Sequence, residues 1–196
     1  YEETLAFIDH FDVALIPHVD NAMTRSMNPL KAYVYCSAGV PVVSTPIANL
    51  GELERVVTIA RNASEFATAI EAALRRFRPI ARLPEGAFLE GGDVLRVGRV
   101  LFVGQTTRTG AAGLRAFAGI VAPLGYSVVP VRVSGCLHLK SACCALDDKT
   151  VLVNRAWVDA GALVGPRLVD LPVEESAGAN VLRLPGAVAV STAFPR

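Results

Sequence analysis

The sequence has no uninterrupted run of about 18 apolar residues, the length a membrane-crossing helix requires, so no transmembrane span is expected. It also lacks the basic start of a secretory signal, because the opening YEETLAFIDHFD carries acids where a signal peptide carries Lys or Arg. Charge is scarce, 19% of residues against 52% hydrophobic, which is too apolar for a disordered chain. The basic residues are scattered rather than striped, which argues against a nucleic-acid footprint. The net charge of +1 conceals an asymmetry: residues 1–77 hold 6 of the 19 basic and 9 of the 18 acidic side chains, net −3 against +4 for the remainder. The four cysteines, Cys36, Cys136, Cys143 and Cys144, form no repeated CxxC and have no neighbouring Cys/His set. Neither a zinc site nor a disulfide framework is expected, and the thiols are read as reduced. Together these absences point to a soluble, cytoplasmic, globular protein with no metal, cofactor or membrane partner. Tyr1 is not an initiator Met, which reads as processing upstream or as a fragment.

What is present falls into two grammars. Up to about Arg76, continuous apolar runs (DVALIP, VPVVSTP, RVVTIA) alternate with helical stretches (EETLAFIDHF, NPLKAYVYCSAG, SEFATAIEAALRR with Ser64 as N-cap). Such alternation indicates a parallel sheet covered by helices, an α/β half-domain of Rossmann-like type. From Phe77 onward the apolar runs come in pairs joined by tight turns. DVLRV-GR-VLFVG reads as a hairpin, GAAGLRAFAGIVAPLG as a helix ended by Gly125, and YSVVPVRV as a strand. The order strand, strand, helix, strand recurs in LHLKSACCAL, TVLVN, AWVDAGALVG and RLVDLPV, and NVLRL-PG-AVAVS begins a third copy. Turns near Gly98, Asp148 and Gly186 lie 50 and 38 residues apart, a period that favours radially arranged repeats, although an ordinary α+β domain gives similar hairpins. Incomplete repeats leave sheet edges open for association.

Three residues attract a chemical reading. Glu90 precedes two glycines in EGGDV, where close backbone approach can hold a carboxylate at a cleft; a solvated acid beside a Gly-Gly turn reads equally well. Arg108, on the loop QTTRTG before a helix, suits an anion, though exposed loop arginines are common. His138, between Leu137 and Leu139 in an expected strand, would point away from both leucines and by itself reads as structural.

Taken in order, LEGGDVLRVGRVLFVG, TRTGAAG and GYSVVPVRVSGCLHLKSACCAL closely resemble the dimethylarginine dimethylaminohydrolases of the guanidino-group modifying, pentein superfamily. The resemblance covers about Arg78 to Arg196. It implies a five-bladed α/β propeller of strand-strand-helix-strand modules, and hydrolysis of methylated arginine to citrulline and an amine by a cysteine thiolate with a proton-handling histidine. It implies that His138 is the acid/base, Glu90 its acidic partner, and Arg108 a ligand for the substrate's α-carboxylate. HLK at His138–Lys140, where arginine deiminases read HLD, favours the dimethylargininase side. The family nucleophile lies beyond the equivalent of STAFPR, and further substrate-binding acids lie in modules before Phe77. The expectation is therefore an incomplete site, inactive alone. Cys136, about 6.6 Å from His138 along a strand, is a poor substitute, and Cys143 and Cys144 read as core.

FDVALIPHVDNAMTRSMNPLKAYVYCSAGVPVVSTPI resembles the donor-binding C-terminal half of GT-B glycosyltransferases, over Tyr1 to about Arg76. That resemblance implies a sugar-nucleotide site with Asn28 and Lys31 near a diphosphate, although Val34 stands where the family carries a glutamate. Three alternatives remain open at this point: a guanidino hydrolase missing modules, a sugar-nucleotide-binding half-domain fused to propeller modules, and a non-enzymatic chimeric or truncated product.

Overall fold

A computed structural model describes residues 8–184 and 187–191. Its contacts divide the chain into two compact units, Tyr1–Ala81 and Arg82–Arg196.

In the first unit β1 (Ala14–Ile16), β2 (Val42–Ser44) and β3 (Val57–Ile59) form a parallel sheet in that order. The apolar run centred on β2 is continuous because Val42, Val43 and Ser44 are all buried, as a strand covered on both faces must be. Between the strands lie α1 (Ala22–Ser26), α2 (Leu30–Ser37) and later α3 (Ala63–Leu74). The expected cap Ser64 is instead an interior residue of α3. Asn62 caps it, with extended backbone and a side chain that accepts from the Glu65 amide at 2.9 Å. Glu65 reaches back to the Arg61 amide at 2.8 Å, so reciprocal bonding satisfies donors the first turn leaves open. Most of EETLAFIDHF lies outside the described residues.

The second unit repeats one arrangement twice. β4 (Val94–Val97) pairs antiparallel with β5 (Val100–Gln105), which pairs parallel with β6 (Ser127–Arg132). β7 (Cys143–Ala145) pairs antiparallel with β8 (Thr150–Val153), which pairs parallel with β9 (Arg167–Asp170). An antiparallel pair, β10 (Leu182–Leu184) and β11 (Ala187–Ala189), follows; its turn at Gly186 lies outside the described residues. Pro130 is tolerated in β6 because that strand borders only β5, leaving one side without ladder bonds to lose.

The connections differ between the copies. β5 and β6 are joined by α4 (Ala111–Val121), whose Leu114 and Val121 pack on Leu101 and Val103. Between β8 and β9 the expected helix AWVDAGALVG is a single 3-10 turn, Ala160–Ala162. The Trp157 carbonyl accepts from Ser134 and the Asp159 amide donates to Arg132, so backbone groups a helix would use are already engaged across the fold.

The largest departure lies at LHLKSACCAL. Gly135 adopts φ +74, a left-handed conformation that ends the strand β6 had begun. Leu139–Ala142 then form one helical turn, α5, and only Cys143–Ala145 is strand. His138 is therefore the residue before a helical turn, not the middle of a strand. Leu139 is 0% exposed within the core of Leu95, Phe102, Val131, Val151 and Val153. Burying it contributes about 2 kcal/mol and anchors the backbone from which the histidine projects.

Candidate active site

Three segments of the second unit deliver the site. Glu90 precedes the 3-10 turn Gly91–Asp93 that leads into β4. Arg108 stands on the loop from β5 to α4, and His138 stands at the N-cap position of α5 with extended backbone. The His138 side chain makes no cap hydrogen bond, which leaves its imidazole available to another partner.

That partner is Glu90: His138 Nε2 lies 2.7 Å from Glu90 Oε2. Arg108 Nη1 donates to Glu90 Oε1 at 3.1 Å and lies 3.5 Å from Oε2. One carboxylate thus accepts from an imidazole and a guanidinium. Exposure rises outward along the trio, from 23% for the His138 side chain to 37% for Glu90 and 51% for Arg108. The hydrogen bond from His138 is the largest influence and holds the Glu90 carboxyl below its ordinary value; burial, next in size, opposes it, and the bond and charge of Arg108 add to the lowering. Glu90 and Arg108 line a cavity of about 490 Å³ together with Phe88, Leu89, Thr107 and Gly110.

The glycines beside Glu90 have a steric reason. A Cβ on Gly92 would stand 2.7 Å from His138 Cγ and 2.8 Å from Cδ2, well inside van der Waals contact. The imidazole lies against bare backbone, and that contact places it within reach of Glu90.

Asp93, fourth in EGGDV, escaped the sequence reading. It is 0% exposed and accepts from Thr106 Oγ1 at 2.7 Å, Thr109 Oγ1 at 2.6 Å and the Leu139 amide at 3.0 Å. The available signal was a pair of threonines, Thr106 and Thr109, flanking Arg108, but their common partner is remote in sequence.

The thiols are poor nucleophiles where they stand. Cys136 donates its Sγ–H to the His138 carbonyl at 3.3 Å rather than to the imidazole, and burial raises its pKa. Burial foremost, then the neighbouring Cys144 and Cys136, pushes Cys143 up to about 12. Cys144 donates to the Val181 carbonyl at 3.3 Å and is also raised by burial, as is Cys36 in the first unit. A nucleophilic cysteine needs the opposite shift.

Asn28 and Lys31 belong to the first unit. Both are exposed at the start of α2. The Asn28 carbonyl accepts from the Leu30 amide at 2.8 Å, and neither side chain has a hydrogen-bond or ion-pair partner among the described residues. No histidine, cysteine or acid grouping that could hold a metal occurs among the described residues, nor is any described helix long and apolar enough to cross a membrane.

Fold and site together define a mixed α/β chain with a carboxylate-bound histidine beside an arginine. No family model matches it. Among characterised proteins it resembles N(G),N(G)-dimethylarginine dimethylaminohydrolases: that of Streptomyces coelicolor, 46% identical over 102 residues, 52% of this chain and 38% of the relative, and that of Pseudomonas aeruginosa, 30% identical over 129 residues, 65% of this chain and 51% of the relative. The chain thus spans about half, or less, of the length of these relatives. The solved structure of the Pseudomonas aeruginosa enzyme, a mutant complexed with citrulline, matches with TM-score 0.61 and 27% identity over 70% of this chain and 55% of that one. Another dimethylarginine dimethylaminohydrolase structure, an adduct with 4-chloro-2-hydroxymethylpyridine, covers 95% of this chain and 86% of its own at TM-score 0.61 and 18% identity, a likeness of fold alone that extends into the first unit. These comparisons give no support to the glycosyltransferase resemblance of residues 1–76, nor to a sugar-nucleotide partner.

Proposed function

We propose that the Arg82–Arg196 unit carries the proton-handling part of a hydrolase that releases methylamine or dimethylamine from methylated arginine, leaving citrulline. The observation that carries this reading is the 2.7 Å His138–Glu90 pair with Arg108 on the same carboxylate.

A guanidinium carbon is a weak electrophile, so its leaving nitrogen must be protonated as it departs. A thiolate adds to that carbon, and the imidazolium of His138 gives its proton to the leaving amine as the C–N bond breaks. Water then adds to the carbon, passing one proton to the imidazole. The adduct expels the sulfur as thiolate and its remaining hydroxyl proton to solvent, completing the urea group of citrulline. Glu90 fixes the ring through Nε2, the orienting role a carboxylate plays beside an acid/base histidine. Arg108 is read as the receiver of the substrate's α-carboxylate, for which a guanidinium is suited. In this reading the unit is a partial propeller whose modules form one side of the cleft.

The nucleophile is none of Cys36, Cys136, Cys143 or Cys144, whose thiols are engaged or raised as described. The thiolate that His138 serves is therefore not among these four. Incubating the purified 196-residue chain with dimethylarginine should yield no citrulline, while titration with citrulline should shift the NMR signals of Arg108 and Glu90. Turnover abolished by His138→Ala would overturn the assignment of the nucleophile elsewhere. Absence of any citrulline-induced shift at Arg108 would overturn the substrate class.

A further inference from the structure

We infer that Asp93 is a positioning residue: its buried carboxyl group braces the backbone under Glu90, Arg108 and His138 at once. The inference deepens the functional reading above and rests on it for the word "site", but its geometry stands apart from any substrate.

Three lines of hydrogen bonds converge on Asp93. The Glu90 amide donates to Thr109 Oγ1 at 3.0 Å, and that hydroxyl donates to Asp93 Oδ2 at 2.6 Å. The Arg108 amide donates to Thr106 Oγ1 at 3.1 Å, and that hydroxyl donates to the same Oδ2 at 2.7 Å. Leu139, the residue after His138, donates its amide to Oδ1 at 3.0 Å. Each functional residue, or its neighbour in the chain, is one or two hydrogen bonds from a single side chain. The sequence distances spanned are large, 46 residues for the bond to Leu139 and 16 for the bond to Thr109, so no local structure could hold these three segments in register.

The chemistry explains why an aspartate occupies this position. Both threonine hydroxyls already accept from backbone amides, so each has its own proton to place, and Oδ2 takes both. Thr106 Oγ1 also accepts from the Thr109 amide at 3.2 Å, which closes the loop around Arg108. Asparagine in place of Asp93 keeps one acceptor oxygen where the carboxylate has two, so its N–H₂ group must face either the Leu139 amide or the two hydroxyls and leave those donors without an acceptor, a cost that buried groups feel in full. With Asp93 0% and Thr109 2% exposed, water cannot substitute at the Thr109 hydroxyl.

Backbone placement to within a few tenths of an ångström decides whether His138 Nε2 meets Glu90 at 2.7 Å. The brace therefore acts through Glu90 and His138 and does not touch substrate.

The test uses amide hydrogen exchange and the ¹⁵N signal of His138 Nε2 in the whole chain without substrate. Asp93→Asn should speed exchange by on the order of tenfold at Leu139 or at Glu90 and Arg108, whichever donors face its N–H₂ group, and move the ring signal, with unit-1 amides unchanged. Thr109→Val should do so at Glu90 and move the ring signal, while Thr106→Val should act at Arg108. Thr109→Ser, which keeps the hydroxyl, should restore the wild-type pattern. Should Asp93→Asn fail to fold, the Thr109→Val and Thr109→Ser pair decides. A ring signal unmoved in Thr109→Val, or exchange at Glu90, Arg108 and Leu139 all unchanged in Asp93→Asn, overturns the brace. Failure of citrulline to bind the wild-type chain would sink the functional reading and leave these exchange results standing.

Discussion

Glu90 accepts from His138 and Arg108 at once, and that double demand sets its acid behaviour. Its carboxyl is held below the ordinary glutamate value, first by the His138 hydrogen bond and then by Arg108. A depressed native pKa means a contribution to stability that is complete above the unfolded value of about 4.3 and is lost as pH falls through the lower native value. With 37% of the side chain exposed, solvent and salt screen the effect, so the titration rather than the stability is the useful readout. An NMR titration of the Glu90 side-chain carbon should show a midpoint below the ordinary glutamate value, and His138→Ala should raise it. A Glu90 midpoint at the ordinary value would mean that neither partner holds the carboxylate in solution.

At the scale of elements, α4 owes its position to a missing side chain. A Cβ on Gly113 would stand 1.9 Å from the Phe88 carbonyl oxygen and 2.6 Å from its carbon, and the same oxygen accepts from the Gly110 amide at 3.2 Å. The segment before Glu90 is thereby laid on the first turns of the helix that follows Arg108. Alanine at a helical position ordinarily gains up to about 1 kcal/mol over glycine, but here it meets backbone that cannot rotate aside, and overpacking costs about 1–3 kcal/mol. The clash wins. Gly113→Ala should lower the melting temperature of the second unit by on the order of 5 °C, whereas Gly119→Ala on the open face of the same helix, where nothing lies within 4 Å, should leave it level or higher. α5 shows the converse. Four residues are far too few to hold a helix unaided, and its first turn exists because the Leu139 amide finds Asp93 and its side chain finds the core.

The whole chain comprises two units, and the connection between them is open to attack. Phe77, Arg78, Pro79, Ala81 and Arg82 are all exposed, as residues at unit boundaries generally are. Brief digestion with trypsin should cut after Arg76 or Arg82, while Arg78 is spared by the proline that follows it and by its 2.6 Å bond to Asp12. Mass spectrometry should recover a fragment ending at Arg196 before any cut within β4 to β9. Early cleavage inside those strands would show that the second unit does not hold together by itself.

How much of this was legible depended on the range of the interactions. Apolar runs, Gly98 at a hairpin turn and the helical spacing of Leu114 and Val121 are local, and residues within a few positions of one another dictated β4, β5, α4 and β6. The pairing of LEGGDV, TRTG and GCLHL as parts of one site was also legible, through the resemblance their order carries. The N-cap at Asn62, the single turn where AWVDAGALVG was expected to be helical, and the helical turn after His138 were not. The cap is a local choice, settled by the Asn62–Glu65 bond three residues apart; in the other two, side chains or backbone groups distant in sequence supplied the deciding hydrogen bonds, as Arg132 and Ser134 do for the segment around Trp157.

The sequence by itself determined that this is an apolar, mixed α/β chain with an acid, an arginine and a histidine placed on three recurring segments, because alternation and turn chemistry are written residue by residue. Only the tertiary structure decided that Glu90 holds both His138 and Arg108, that Cys136 bonds the His138 carbonyl and not its ring, and that Asp93 ties the three segments together. The first and last of those outcomes rest on close approach and on buried hydrogen bonds between residues tens of positions apart, which exist only once the core has closed around them.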